Sequence, residues 1–117
     1  MKLPIILNEN SDLLLFSSEE ELTSYIEPID VKNNEYVAYD ANGKLLSLLV
    51  EAQEYKGRLF GKKTREIVKI SSSSNIQKPS ELKSSIEEYL INVNVLDKSE
   101  ALTLSELIFK LKEFLRV

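Results

Sequence analysis

Glu35-Tyr36-Val37-Ala38-Tyr39-Asp40-Ala41-Asn42-Gly43-Lys44-Leu45-Leu46 contains the strongest turn signal in the chain. Tyr36, Val37 and Tyr39 are strand formers, and Asn42-Gly43 readily occupies left-handed backbone positions. The stretch therefore predicts an antiparallel hairpin, with a second strand from Lys44 to about Tyr55. Leu45, Leu46, Leu48, Leu49 and Val50 do not alternate cleanly, which predicts a central strand with apolar cover on both faces, or a bulge.

Upstream, Leu3 to Leu7 and Leu13 to Phe16 are short apolar runs separated by the polar cluster Asn8 to Asp12, and they predict an N-terminal hairpin. Ser18 followed by Glu21 has the spacing of a capping box, and Glu19, Glu20 and Glu21 suit the positive end of a helix. Leu22, Tyr25 and Ile26 give that helix one apolar face, and Pro28 ends it.

Downstream, Lys56-Gly57 offers a turn, and Arg58 to Ile70 a further strand with a bend at Gly61. Ser71 to Ser74 read as a surface linker. Pro79-Ser80-Glu81 opens a second helix with Leu82, Ile86, Tyr89 and Leu90 at helical spacing. Thr103 with Glu106 opens a third, whose stripe is Leu104, Leu107, Ile108, Leu111, Phe114 and Leu115. The order β-β-α-β-β-β-α-α predicts one α+β domain over residues 1–117. An antiparallel sheet of four to five strands, covered on one face by three helices, is the expected architecture.

The 117 residues include no Cys, His or Trp. A disulfide framework and thiolate metal sites are thereby excluded, and the usual neutral-pH base and commonest metal ligand are missing. Asp30, Asp40, Glu51 and Glu54 stand in no recognised catalytic arrangement, and Asp40 is explained by its turn. Gly61-Lys62-Lys63-Thr64 lacks the upstream glycine of a phosphate loop. Serine nucleophiles have no evident base. No enzyme activity, metal or cofactor is expected.

Met1 to Leu7 reaches polar residues too soon for a signal peptide, and no apolar run approaches the roughly 20 residues of a membrane span. Cytoplasmic residence without membrane contact is expected.

Charge carries the functional signal. Residues 1–54 have a net charge of −8 and residues 55–72 one of +5, while the whole chain carries −4. Segregated charge steers partners and says little about fold. The acidic part, with Glu19, Glu20, Glu27, Asp30 and Glu35 interleaved with Tyr25, Tyr36 and Tyr39, is the expected surface for a basic protein. Tyr36 and Tyr39 share a strand, and at least one of the two is expected to be buried. Lys56, Arg58, Lys62, Lys63, Arg65 and Lys69, with Tyr55 and Phe60, form an alternative nucleic-acid-binding surface. The acidity of the remainder opposes a polyanion. A homo-oligomeric structural subunit is a further alternative, with a homodimer contact through Leu111, Phe114 and Leu115.

Ile5-Ile6-Leu7-Asn8-Glu9, Ser18-Glu19-Glu20-Glu21-Leu22, Glu27-Pro28-Ile29-Asp30-Val31 and Tyr36-Val37-Ala38-Tyr39-Asp40 together resemble the small acidic immunity proteins of bacterial contact-dependent and other polymorphic toxin systems. The likeness spans residues 5–50 and rests on size, acidity and general pattern. It implies a protein that binds and neutralises a cognate toxin domain, expected to be basic and nuclease-like. It transfers no individual residue role.

Overall fold

The computed structural model describes residues 1–57, 61–71 and 75–117, with side chains throughout except at residues 56, 57, 62 and 63. The fold is α+β. Five antiparallel strands, β1 (Ile5–Glu9), β2 (Asp12–Phe16), β3 (Tyr36–Tyr39), β4 (Leu45–Gly57) and β5 (Gly61–Ser71), lie in the order β2-β1-β3-β4-β5. Four helices accompany them: α1 (Glu19–Tyr25), α2 (Pro28–Lys32), α3 (Pro79–Asn92) and α4 (Leu104–Leu115). The extra helix, α2, begins at Pro28. That proline lies beyond the end of α1 and also takes the first position of the next helix, where its missing N–H costs nothing.

The N-terminal connection is tighter than the polar cluster implies. Asn10 and Ser11 form a two-residue loop with φ of 50° and 74°. Two positive angles match the twist of the strands, and the Ser11 N–H donates to Asn8 Oδ1 at 2.9 Å.

The Asp40–Gly43 turn closes by a bond from the Gly43 N–H to the Asp40 carbonyl. Here only Gly43 is left-handed, at φ 84°. Asp40 is 3% exposed, and its Oδ1 accepts from the N–H groups of Asn42 and Lys44, both at 2.9 Å. Its burial is therefore explained by the turn.

Helices cover both faces of the sheet, where the sequence pattern predicts cover on one. Ile6, Leu13 and Tyr39 pack with Leu82, Ile86 and Leu90 of α3 and Leu107 and Leu111 of α4. Ile5, Leu7, Ala38 and Leu46 pack with Leu22 and Ile26 of the α1 region. Successive strand side chains point to opposite faces, so the unbroken run Ile5-Ile6-Leu7 fits a strand buried on both sides. The doubly covered strand is thus β1, whereas β4 meets β3 only at Leu45 and Leu46.

Beyond Leu46, β4 and β5 leave the body as a two-stranded ribbon paired from Ser47–Ser71 to Gly57–Gly61. The ribbon accounts for the elongated shape, 62 × 28 × 23 Å. Leu48, Val68 and Ile70 at its base pack with Leu22, Ile26 and Val31, and Lys32 Nζ meets Glu66 Oε2 at 2.6 Å. Leu49 is exposed, as are residues Ala52 to Tyr55 further out. The turn expected at Lys56-Gly57 does not form there, because β4 runs through Gly57 and pairs with β5. Ser71, expected to open the linker, ends β5. Residues 58–60 and 72–74 lie outside the described residues.

Both capping signals form, the first with a shift. Ser18 Oγ accepts from the Glu21 N–H, while Glu21 Oε2 reaches back to the Ser17 N–H and hydroxyl. Thr103 and Glu106 make the reciprocal pair. These bonds hold both glutamates below the ordinary carboxylate range, with the backbone bond as the larger cause in each case.

Candidate functional site

Period-two alternation puts Glu9 on the face of Ile5 and Leu7, the side occupied by α1 and α2. The short N-terminal turn makes Asp12 its neighbour across β2, and the β1–β3 register makes Tyr36 its neighbour across β3. Tyr25, at the end of α1, rests its ring on Phe16 at 5.4 Å and donates its O–H to Glu9 Oε2 at 3.1 Å. The Tyr36 O–H donates to Asp30 Oδ2 of α2 at 3.2 Å. Glu35 adjoins Asp30 and completes the group.

Five residues from the β1, α1, α2 and β3 regions thus share one end of the sheet: Glu9, Tyr25, Asp30, Glu35 and Tyr36. Their electrostatics are mutually unfavourable. The Glu35 carboxyl is raised above the ordinary range, first by its hydrogen bond with Asp30, then by the charges of Asp30 and Glu9 and by burial. Burial chiefly pushes the Tyr36 phenol up to about 12, with the bond to Asp30 and the charges of Asp30 and Glu9 adding to it. Tyr25 is raised mainly by its bond to Glu9. Among the described residues the ion pairs are Lys32–Glu66 and Lys69–Glu51, and neither neutralises the group.

This crowding has a pH consequence. A carboxyl raised in the folded state contributes stability that is complete below its unfolded value and is lost as pH rises through the folded value. Glu35→Gln keeps a donor for Asp30 and removes one charge. It is expected to raise the thermal midpoint at pH 7 and to leave it unchanged near pH 3, as melts across that range would show. Glu21 and Glu106 have the opposite sign, so their contribution disappears as pH falls.

Of the surface expected from sequence, Tyr25, Asp30, Glu35 and Tyr36 come together, and Glu27 is exposed at the N-cap of α2 without a side-chain cap bond. Glu19 and Glu20 are exposed on the first turn of α1. A shallow hollow shared by Glu20, Phe16 and Tyr25 joins Glu20 to the group. Tyr39 does not belong. It is 1% exposed, on the α3 side of the sheet, and donates its O–H to Glu81 Oε1 at 2.6 Å. Its burial raises the phenol, with the Glu81 bond adding to the effect. Glu9 is the member that sequence reading missed, together with its cross-strand neighbour Asp12. Their signal is the strand register, which no local pattern supplies.

The basic segment forms the outer ribbon. Arg65 donates from Nε and Nη2 to Gln53 Oε1 at 3.1 and 3.0 Å and lies 5.5 Å from the Tyr55 ring centroid. Lys69 pairs with Glu51 at 2.9 Å. These two cations are committed within the ribbon. The Lys56, Lys62 and Lys63 side chains, and all of Arg58 and Phe60, lie outside the described residues.

The homodimer contact expected at Leu111, Phe114 and Leu115 is corrected at Leu111, which is 0% exposed between α4 and the sheet. Phe114 packs edge-on against Tyr89 at 6.0 Å, and Leu115 is half-buried. Among the described residues no three Asp or Glu side chains stand in a metal-holding group, and no helix is long and apolar enough to cross a membrane. Family models, curated proteins and solved structures yield no match to this chain.

Proposed function

We propose that this chain is a protein-binding module of the immunity type, holding a basic, nuclease-like toxin domain against the Glu9, Tyr25, Asp30, Glu35 and Tyr36 end of its sheet. The convergence of Glu9, Asp30 and Glu35 around Tyr25 and Tyr36 carries this reading. Three carboxyl groups gather there, Glu35 beside Asp30 and within the field of Glu9, and an incoming Lys or Arg would offset their charge. Tyr25 and Tyr36 supply rigid, amphipathic contact area within the same surface, with their hydroxyls already oriented by carboxylates. A basic toxin cleft would gain both encounter rate and register from such a surface.

Titration calorimetry with the toxin domain encoded beside this chain tests the proposal. A one-to-one complex is expected, weakening as salt rises from about 0.05 to 0.5 M because exposed charge is screened within about 10 Å at 0.1 M. Combined Glu9→Gln and Asp30→Asn substitution is expected to weaken binding at least tenfold. Undiminished affinity in that variant, with its fold intact by circular dichroism, would refute the assigned surface. Retention of single-stranded nucleic acid by the free chain, lost on neutralising Lys62, Lys63 and Arg65, would move the function to the ribbon.

A further inference from the structure

The outer face of α4 carries a feature that the toxin-binding reading does not use. Phe109 is 64% exposed although it stands mid-helix, between the buried Ile108 and the half-buried Lys110. Exposed Leu3 lies beside it, and a hollow of about 210 Å³ opens between Phe109, Leu3, Ser105 and Lys112. A single exposed apolar residue is ordinary, but an aromatic ring next to an apolar-floored hollow of this kind forms a patch with a defined complement.

The charges around it are self-complementary. In two antiparallel α4 helices crossing at Phe109, positions equidistant from that residue face one another. Glu106 of one copy then lies opposite Lys112 of the other, and the symmetry produces that pair twice. Ser105 lies opposite Glu113. A parallel pairing would instead set Glu106 against Glu106 and Lys112 against Lys112, so the pattern specifies orientation. Glu106 is fixed in place by its bond to the Thr103 N–H at 3.0 Å, which lowers the entropy lost on pairing.

We propose that a second copy of this chain docks on α4, with two-fold antiparallel pairing centred on Phe109 and each Phe109 ring seated in the other copy's hollow. The face lies on the opposite side of the sheet from the acidic group, because α4 and α1 belong to different core layers. Dimerisation therefore leaves that surface open, and the inference stands independently of the proposed function.

Sedimentation equilibrium of the full chain over a dilution series tests it. The wild type is expected to shift reversibly between 13.4 kDa and twice that mass. Lys112→Glu turns two attractions into two repulsions and is expected to weaken the dimer about tenfold or more. Ser105→Lys, opposite Glu113, is expected to tighten it, and Ser105→Glu to weaken it. Position 105 lies in the first turn of α4, where the helix dipole favours Glu over Lys. Monomer stability and dimer affinity should thus respond to this pair in opposite directions, which excludes misfolding as the cause. A wild type that stays monomeric up to about millimolar concentration would overturn the proposal, as would a dimer indifferent to all three substitutions. Loss of toxin binding in Phe109→Ser, with a monomeric wild type, would also overturn it and give the face to that partner.

Discussion

Gly43→Ala is expected to destabilise the fold by about 2–5 kcal/mol, combining left-handed strain with overpacking. A Cβ at Gly43 would fall 2.4 Å from Pro79 Cα and 2.8 Å from Pro79 N, where α3 begins. The clash has no easy escape, since the contact is with backbone and the Lys78 N–H already donates to the Gly43 carbonyl at 2.7 Å. Gly61 provides the control. It has nearly the same φ, 81°, but nothing lies within 4 Å of its hypothetical Cβ. Gly61→Ala should therefore cost only the strain, about 1–2 kcal/mol. Urea denaturation of both variants separates the two effects, and equal losses would mean that the turn does not pack on α3 as described.

Leu111→Ala is expected to cost about 2–5 kcal/mol, the range for emptying a fully enclosed leucine site. Leu111 is 0% exposed among Ile6, Leu82, Leu90 and Leu107, so the cavity left behind has packed walls on every side. Phe114, three residues on, is 41% exposed and retains mainly its edge contact with Tyr89. Phe114→Ala should cost no more than about 1.5 kcal/mol. Chemical denaturation at two protein concentrations would check both values. A Leu111→Ala loss that varies with concentration would place this residue at an interface instead of in the core.

The two variants also mark how far sequence patterning reaches. The α4 stripe identifies Leu107, Ile108 and Leu111 correctly, because helical periodicity and the Thr103–Glu106 cap are expressed within a few residues. It also includes Phe114 and passes over Phe109, since period alone cannot say how wide a face the neighbouring layer covers. The leucines of β4 mislead for a related reason. Their lack of alternation reflects a strand that pairs with β3 only at Leu45 and Leu46, keeps one more core contact at Leu48 and then leaves the body, with Leu49 in solvent.

The candidate site divides in the same way. Asp30, Glu35, Tyr25 and Tyr36 are recognisable as an acidic, tyrosine-bearing stretch, and Glu19 to Glu21 as helix-starting charge. Tyr39 looks equivalent to Tyr36 in sequence. It is instead buried on the other side of the sheet, under α3, against Glu81.

By itself the sequence determined the α+β class, the order of the strands and of the three longer helices, both capping pairs and the segregation of charge. Each depends on hydrogen bonds, dihedral preferences or periodicities spanning at most a few turns. Tertiary structure alone decided that helices cover both faces, that β4 and β5 project as a ribbon, and that Glu9 meets Tyr25 and Tyr36. Those facts follow from strand register and layer packing, which are set by contacts between distant residues after chain closure has been overcome. The turn at Asp40 to Gly43 belongs to both levels. Its chemistry is local, but glycine is required at position 43 because Pro79, far along the chain, packs against it.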